Sequence, residues 1–112
     1  MSDQAQLQAK VQQLQQMSQQ LQQAAQQRMQ FESVLHEGKA SIEALESLAD
    51  DALVYRNIGS LLVQDEGKAA AITRIQDDLE TMEIRVKRAK DQEAQLREAL
   101  DKLQKELQAS FQ

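Results

Sequence analysis

The chain has 112 residues, 41% of them hydrophobic but only 3% aromatic, which supplies methyl-bearing seams and not the bulky core that surrounds a deep enzyme pocket. With 28% charged residues, 3 glycines and no proline, little interrupts a helix, and the abundant Ala, Leu, Gln, Glu, Lys and Arg all favour one. A formal net charge of -5 disfavours a sequence-independent grip on nucleic acid, and the absence of cysteine excludes disulfides and thiolate chemistry.

The first predicted element is a helix over residues 3–53. With Leu7 at position a of a heptad, the a row continues through Leu14, Leu21, Arg28, Leu35, Ile42 and Ala49. The d row holds Lys10, Met17, Ala24, Phe31, Gly38, Leu45 and Ala52. An apolar row repeating every seven residues predicts left-handed supercoiling, because the row of a straight helix drifts away from its partner. Fourteen glutamines crowd the first thirty residues, but the leucine spacing running through them argues for helix and against a disordered tract.

Next comes a segment of different character, residues 54–64, in which Val54, Tyr55, Ile58 and Val63 replace the helix formers. It reads as a β-hairpin whose Gly59-Ser60 turn is of type II′, since glycine takes the positive φ needed at the first central position. Ile58 then faces Leu61, and Asn57 faces Leu62. Asp65 is placed to cap the following helix, with Glu66 favouring the positive end of its dipole.

The last element is a helix over residues 66–111. Its a row is Ile72, Leu79, Val86, Glu93, Leu100 and Leu107, and its d row Ile75, Met82, Ala89, Leu96, Leu103 and Ser110. Two seams of near-equal length predict an antiparallel two-helix coiled coil. Folding centred on Leu62 sets Leu45 opposite Leu79 and Gly38 opposite Val86, and brings the two charged seam residues, Arg28 and Glu93, within reach of each other. A polar seam residue fixes register at some cost in stability.

Two features are left unsatisfied within one chain. A lone two-stranded ribbon is marginal in water, with open edges and the apolar side chains of Val54, Ile58, Leu61, Leu62 and Val63 uncovered, so copies are expected to join through it. Closing several ribbons into a barrel removes the edges and buries these side chains. The second feature is the apolar surface near the termini. Leu7, Val11, Leu14 and Met17 on the first helix, with Leu103, Leu107 and Phe111 on the second, exceed what two helices can cover and form a candidate surface for a partner.

The segment Ala49-Asp50-Asp51-Ala52-Leu53-Val54-Tyr55-Arg56-Asn57-Ile58-Gly59-Ser60-Leu61-Leu62-Val63, with Leu79-Glu80-Thr81-Met82-Glu83-Ile84-Arg85 beyond it, resembles the beta subunits of prefoldin, including their eukaryotic subunit-six relatives. The resemblance extends over essentially the whole chain, as a single prefoldin-like domain of residues 1–112, and one hairpin instead of two points to the beta type. It implies a mainly α subunit whose hairpins assemble into a β-barrel-based hexamer of two alpha-type and four beta subunits. It implies an ATP-independent holdase, without cofactors, that grips unfolded client proteins at coiled-coil tips and passes them to a group II chaperonin. On this chain the assembly role then falls on Tyr55, Gly59 and their neighbours to Val63, and the client-facing role on the apolar residues near both termini.

Other chemistry finds little support. His36, the sole histidine, falls at an outer b position and reads as a solvated side chain. The neighbours Asp50-Asp51 and Asp77-Asp78 point in different directions on a helix and do not form acid-base pairs. Arg85, Lys87, Arg88 and Lys90 are interleaved with Glu83, Asp91 and Glu93, which suits a solvated ion-paired face better than a nucleic-acid patch. No apolar run approaches a membrane span or a signal peptide, and the sequence points to a cytoplasmic, non-enzymatic protein. The competing reading is a structural coiled-coil tether, which needs the same helices but buries their ends in a fixed partner.

Overall fold

A computed structural model describes residues 3–110, which form α1 (Asp3–Glu46), β1 (Tyr55–Ile58), β2 (Leu61–Gln64) and α2 (Lys68–Ser110). The chain gathers into two compact units: one contains the N-terminal residues up to Gln30 and those from Val86 onward, the other Phe31–Arg85.

In the first unit the segments of α1 and α2 run in opposite directions. Leu7 and Lys10 share a hollow with Ser110, while later in α1 Arg28 pairs with Glu93. Burial follows the heptad: every seam position from Leu7 to Arg28 is buried or half-buried, as is every one from Val86 to Leu107. Ser110, a predicted d residue, is exposed. The Arg28 guanidinium donates through Nε to Glu93 Oε2 and through Nη2 to Oε1 at 3.5 Å, and Arg97 reaches Oε1 from the next turn at 3.5 Å. Glu93, only 7% exposed, is thus a buried carboxylate held by two guanidiniums, which is the condition under which a charge is tolerated in an apolar seam.

In the second unit the seam persists but its register differs from the expected one. A Cβ built on Gly38 would overlap Leu79 Cδ2 and lie 3.2 Å from Leu79 Cγ, so Gly38 faces Leu79 and not Val86. The glycine gives Leu79, a buried side chain, the space that any larger residue would take.

The reason lies at the end of α1. The helix stops at Glu46, seven residues before the expected boundary at residue 53. Ala49 and Ala52 therefore belong to a loop and not to the seam. Losing one heptad of helix shifts the alignment by one heptad, and such a slip still presents a and d residues to a and d residues. Lys68 binds the end of α1 where the helix stops. Its Nζ donates to the carbonyls of Glu46 at 3.1 Å and Leu48 at 2.8 Å and lies 3.5 Å from Asp50 Oδ1. A cation satisfies the carbonyls that end α1 and complements the negative end of its dipole.

The start of α2 also differs from expectation, at Lys68 instead of residue 66. The cap is Gly67, whose carbonyl accepts the Ala71 amide at 3.0 Å and whose φ of 134° disfavours any side chain there. Asp65 is freed for another task.

Candidate functional site

The hairpin forms in the predicted register. Ile58 pairs with Leu61, Asn57 with Leu62, Arg56 with Val63 and Tyr55 with Gln64. Gly59 has a φ of 60° and no non-glycine residue described has a positive φ, which gives the turn the type II′ hand. Alternation along each strand then divides the side chains between two faces. Ile58, Leu61 and Val63 share one face with Arg56; Tyr55 and Leu62 share the other with Asn57 and Gln64. Neither face is wholly polar.

All eight strand residues are exposed. Leu61 and Leu62 retain 65% and 67% of their surface, and Tyr55 and Ile58 about half of theirs. Val54, just outside β1, is half-buried. Leu48 and Leu53 in the preceding loop are also exposed, and the sequence pattern did not single them out. Full burial of one large apolar side chain is worth about 1.5–3 kcal/mol, so covering what remains open at Tyr55, Ile58, Leu61 and Leu62 would contribute on the order of 4 kcal/mol per chain.

What attaches this ribbon to α2 is the Asp65–Arg74 pair, which no sequence pattern foretold. The Asp65 amide donates to the Val54 carbonyl at 2.7 Å, extending the ladder by one bond. Its carboxylate accepts from the Glu66 amide at 2.8 Å through Oδ1 and pairs with Arg74 Nη2 at 2.5 Å through Oδ2. The side chain is covered by its immediate neighbours, at 4% exposure, yet it lies in a thin shell near the surface. The Arg74 guanidinium beside it holds the Asp65 pKa below its ordinary 3.8, helped by the Glu66 amide and the Arg56 charge and opposed by the loss of solvation.

The pH dependence has a definite sign. A carboxylate whose folded pKa is depressed contributes stability above its unfolded value and loses it as pH falls through the folded one. Attachment of the hairpin to α2 should therefore be constant near neutrality and weaken only in acid below the ordinary carboxylate range. Asp65→Asn should remove that acid step and loosen the ribbon at every pH above it. Hydrogen exchange at the position-65 amide should report this as faster exchange, with unchanged helicity by circular dichroism.

The predicted client-facing residues are placed unevenly. Val11 is exposed at 38%, and Leu7, Leu14 and Met17 are half-buried along the α1 seam. Leu103 and Leu107 are buried at 6% each, so they close the seam and offer no free surface while the helices stay paired. Phe111 lies outside the described residues. Leu7 and Val11 line a shallow groove with Gln4, Gln8, Gln12 and Gln15.

Among the described residues, no group of three or more His, Asp or Glu is arranged to hold a metal ion, and no helix is long and apolar enough to cross a membrane. The arrangement is suited to surface contact through an uncovered ribbon and an amide-bordered apolar stripe.

Comparison with known proteins agrees with this architecture. The family model described as "Prefoldin subunit" matches residues 8–112. The chain is 39% identical over 77 residues to the prefoldin subunit beta of Thermococcus gammatolerans, covering 69% of this chain and 65% of that protein. It is 39% identical over 84 residues to the prefoldin subunit beta of Methanosarcina acetivorans, covering 75% of this chain and 71% of that one. The first of these matched stretches thus spans slightly less than two thirds of the relative's length. The crystal structure of the prefoldin beta subunit from Thermococcus strain KS-1 superposes with a TM-score of 0.86 at 36% identity, over 94% of this chain and 91% of that one. Two long helices joined through a single exposed hairpin, with these relatives in sequence and in structure, identify the chain as a member of the prefoldin subunit family, of the beta type.

Proposed function

We propose that this chain is a subunit of an ATP-independent holdase that captures non-native proteins, and that it carries out no chemistry of its own. Copies join through Val54, Tyr55, Ile58, Gly59, Leu61, Leu62 and Val63, together with an alpha-type partner, in a hexamer of two alpha and four beta subunits. The apolar residues near the start of α1, chiefly Leu7, Val11, Leu14 and Met17, meet the unfolded client. Phe111 joins them, whereas Leu103 and Leu107 take part only if the paired helices part or fray. The client then passes to a group II chaperonin in the cytoplasm.

The observation that carries this reading is the hairpin, whose two faces both present large apolar side chains to solvent. A two-stranded ribbon in that condition is not a stable end state. Individual contacts at one short apolar stripe are weak, but several stripes on one particle raise the effective concentration and together hold a chain. Release requires no nucleotide, because each weak contact dissociates quickly when a competing surface is offered.

The test is aggregation of an unrelated, chemically denatured protein on dilution, followed by light scattering without nucleotide. The particle assembled with an alpha-type partner should suppress scattering at near-stoichiometric amounts. A correctly assembled particle that leaves scattering unchanged would favour a structural tether.

A further inference from the structure

The outer surface of α1 in the first unit is unusual in its chemistry. Residues 4–30 contain fourteen glutamines, every one exposed, and only two charged residues, Lys10 and Arg28. The charge of Arg28 is matched by Glu93 across the seam. The α2 segment of the same unit is densely charged, with Lys87, Arg88, Asp91, Glu98, Asp101 and Lys102 among its exposed residues. Solubility alone does not call for this contrast, since charged residues serve it as well on one helix as on the other.

We propose that the groove formed by Leu7 and Val11 with Gln4, Gln8, Gln12 and Gln15 binds the backbone of an extended polypeptide through the glutamine amides, and so takes unfolded segments without regard to their charge. The inference rests on the capture role proposed above and adds the chemistry of recognition. A primary amide carries both donors and an acceptor, as a peptide group does, and can satisfy either half of an unpaired backbone. The spacing also matches. Residues four apart on a helix rise about 6 Å, as from Gln4 to Gln8 to Gln12. Two residues of extended chain span about 6.6 Å, so successive peptide groups on one edge of a strand meet successive glutamines. Leu7 and Val11 form the row beside these amides and receive alternate side chains. A nearly uncharged border neither repels nor selects an acidic or a basic segment, whereas a charged one would do both.

The experiment uses the full chain assembled with an alpha-type partner, and two unstructured fluorescent peptides of equal apolar content, one acidic and one basic. Wild-type particles should bind both with similar affinity, changing less than about threefold between low and high salt. Replacing Gln4, Gln8, Gln12 and Gln15 by alanine keeps the helix and its neutrality but removes the amides, and should weaken both peptides about tenfold and equally. Replacing them by glutamate should weaken the acidic peptide and tighten the basic one, with strong salt dependence. Circular dichroism and native mass confirm that each variant is folded and assembled. Unchanged binding by the alanine variant would overturn the amide mechanism and leave capture by apolar contact standing. Wild-type particles that bind neither peptide would overturn the capture role itself.

Discussion

Lysine at both Ile58 and Leu61 should leave the chain helical and abolish its assembly. The two positions are directly opposed across the turn and lie on the same face of the ribbon. In the isolated chain both side chains point to solvent, so two ammonium groups there cost only the repulsion of like charges across a strand pair, a few tenths of a kcal/mol to about 1 kcal/mol. In a barrel that buries this face the same groups would be desolvated without partners, at several kcal/mol each. The difference between these two costs makes the effect specific to association. Native mass measurement should show loss of the higher-order species, while the far-ultraviolet circular dichroism stays close to wild type. A variant that assembles normally would mean that the hairpin is not the joint.

The second large effect is expected at Arg28 and Glu93. Truncating Glu93 alone to leucine removes the carboxylate that Arg28 reaches across the seam, and truncating Arg28 alone leaves a buried carboxylate that keeps the more exposed Arg97. Removing one partner of a fully buried pair typically costs 3–5 kcal/mol; the Arg28 side chain keeps 25% of its surface, and a loss of about 2 kcal/mol is the appropriate expectation. The double replacement by leucine completes the apolar row and should restore stability to wild type or above it. What the double variant should lose is uniqueness of register. A slip costs an all-apolar seam little, whereas in the wild-type chain one that carries Arg28 out of reach of Glu93 breaks the cross-seam pair. Thermal unfolding checks the first statement, and a cysteine pair introduced for the native alignment and for the slipped one checks the second by which of them crosslinks. Two single variants as stable as wild type would show that the pair contributes nothing to either.

That same slip explains what could and could not be read from the sequence. The seams were legible because leucine, isoleucine and valine recur at seven-residue intervals whatever the partner does, and burial follows those positions from Leu7 to Leu45 and from Ile72 to Leu107. The Arg28–Glu93 contact was legible because two charges in otherwise apolar rows have few other partners. The hairpin register was legible because Gly59-Ser60 permits only a tight turn, which determines every pair outward from Ile58 and Leu61. The alignment of the helices was not legible. It depends on where α1 stops, and residues 47–53 contain good helix formers that fit the heptad. They leave the helix nonetheless, and Lys68, twenty or more residues away, takes the carbonyls at its end. One hint was available: a lysine in the first turn of α2 sits at the unfavourable end of that helix dipole, which suggests that it serves some other group. Asp65 and Arg74 gave no such hint. Asp65 before a helix reads as a cap, but Gly67 takes that place and Asp65 turns toward Arg74. At the candidate capture surface the pattern identified apolar residues but not their coverage, so Leu103 and Leu107 were indistinguishable from Val11 until the opposing helix was in position.

The proposed function stands on the joining of several copies of this chain through its uncovered ribbon. Native mass spectrometry of the chain mixed with an alpha-type partner, at low micromolar concentration and neutral pH, tests it most directly. One dominant species containing four copies of this chain and two of the partner is expected. A spectrum of free monomers, or of simple one-to-one pairs with no larger particle, would contradict it.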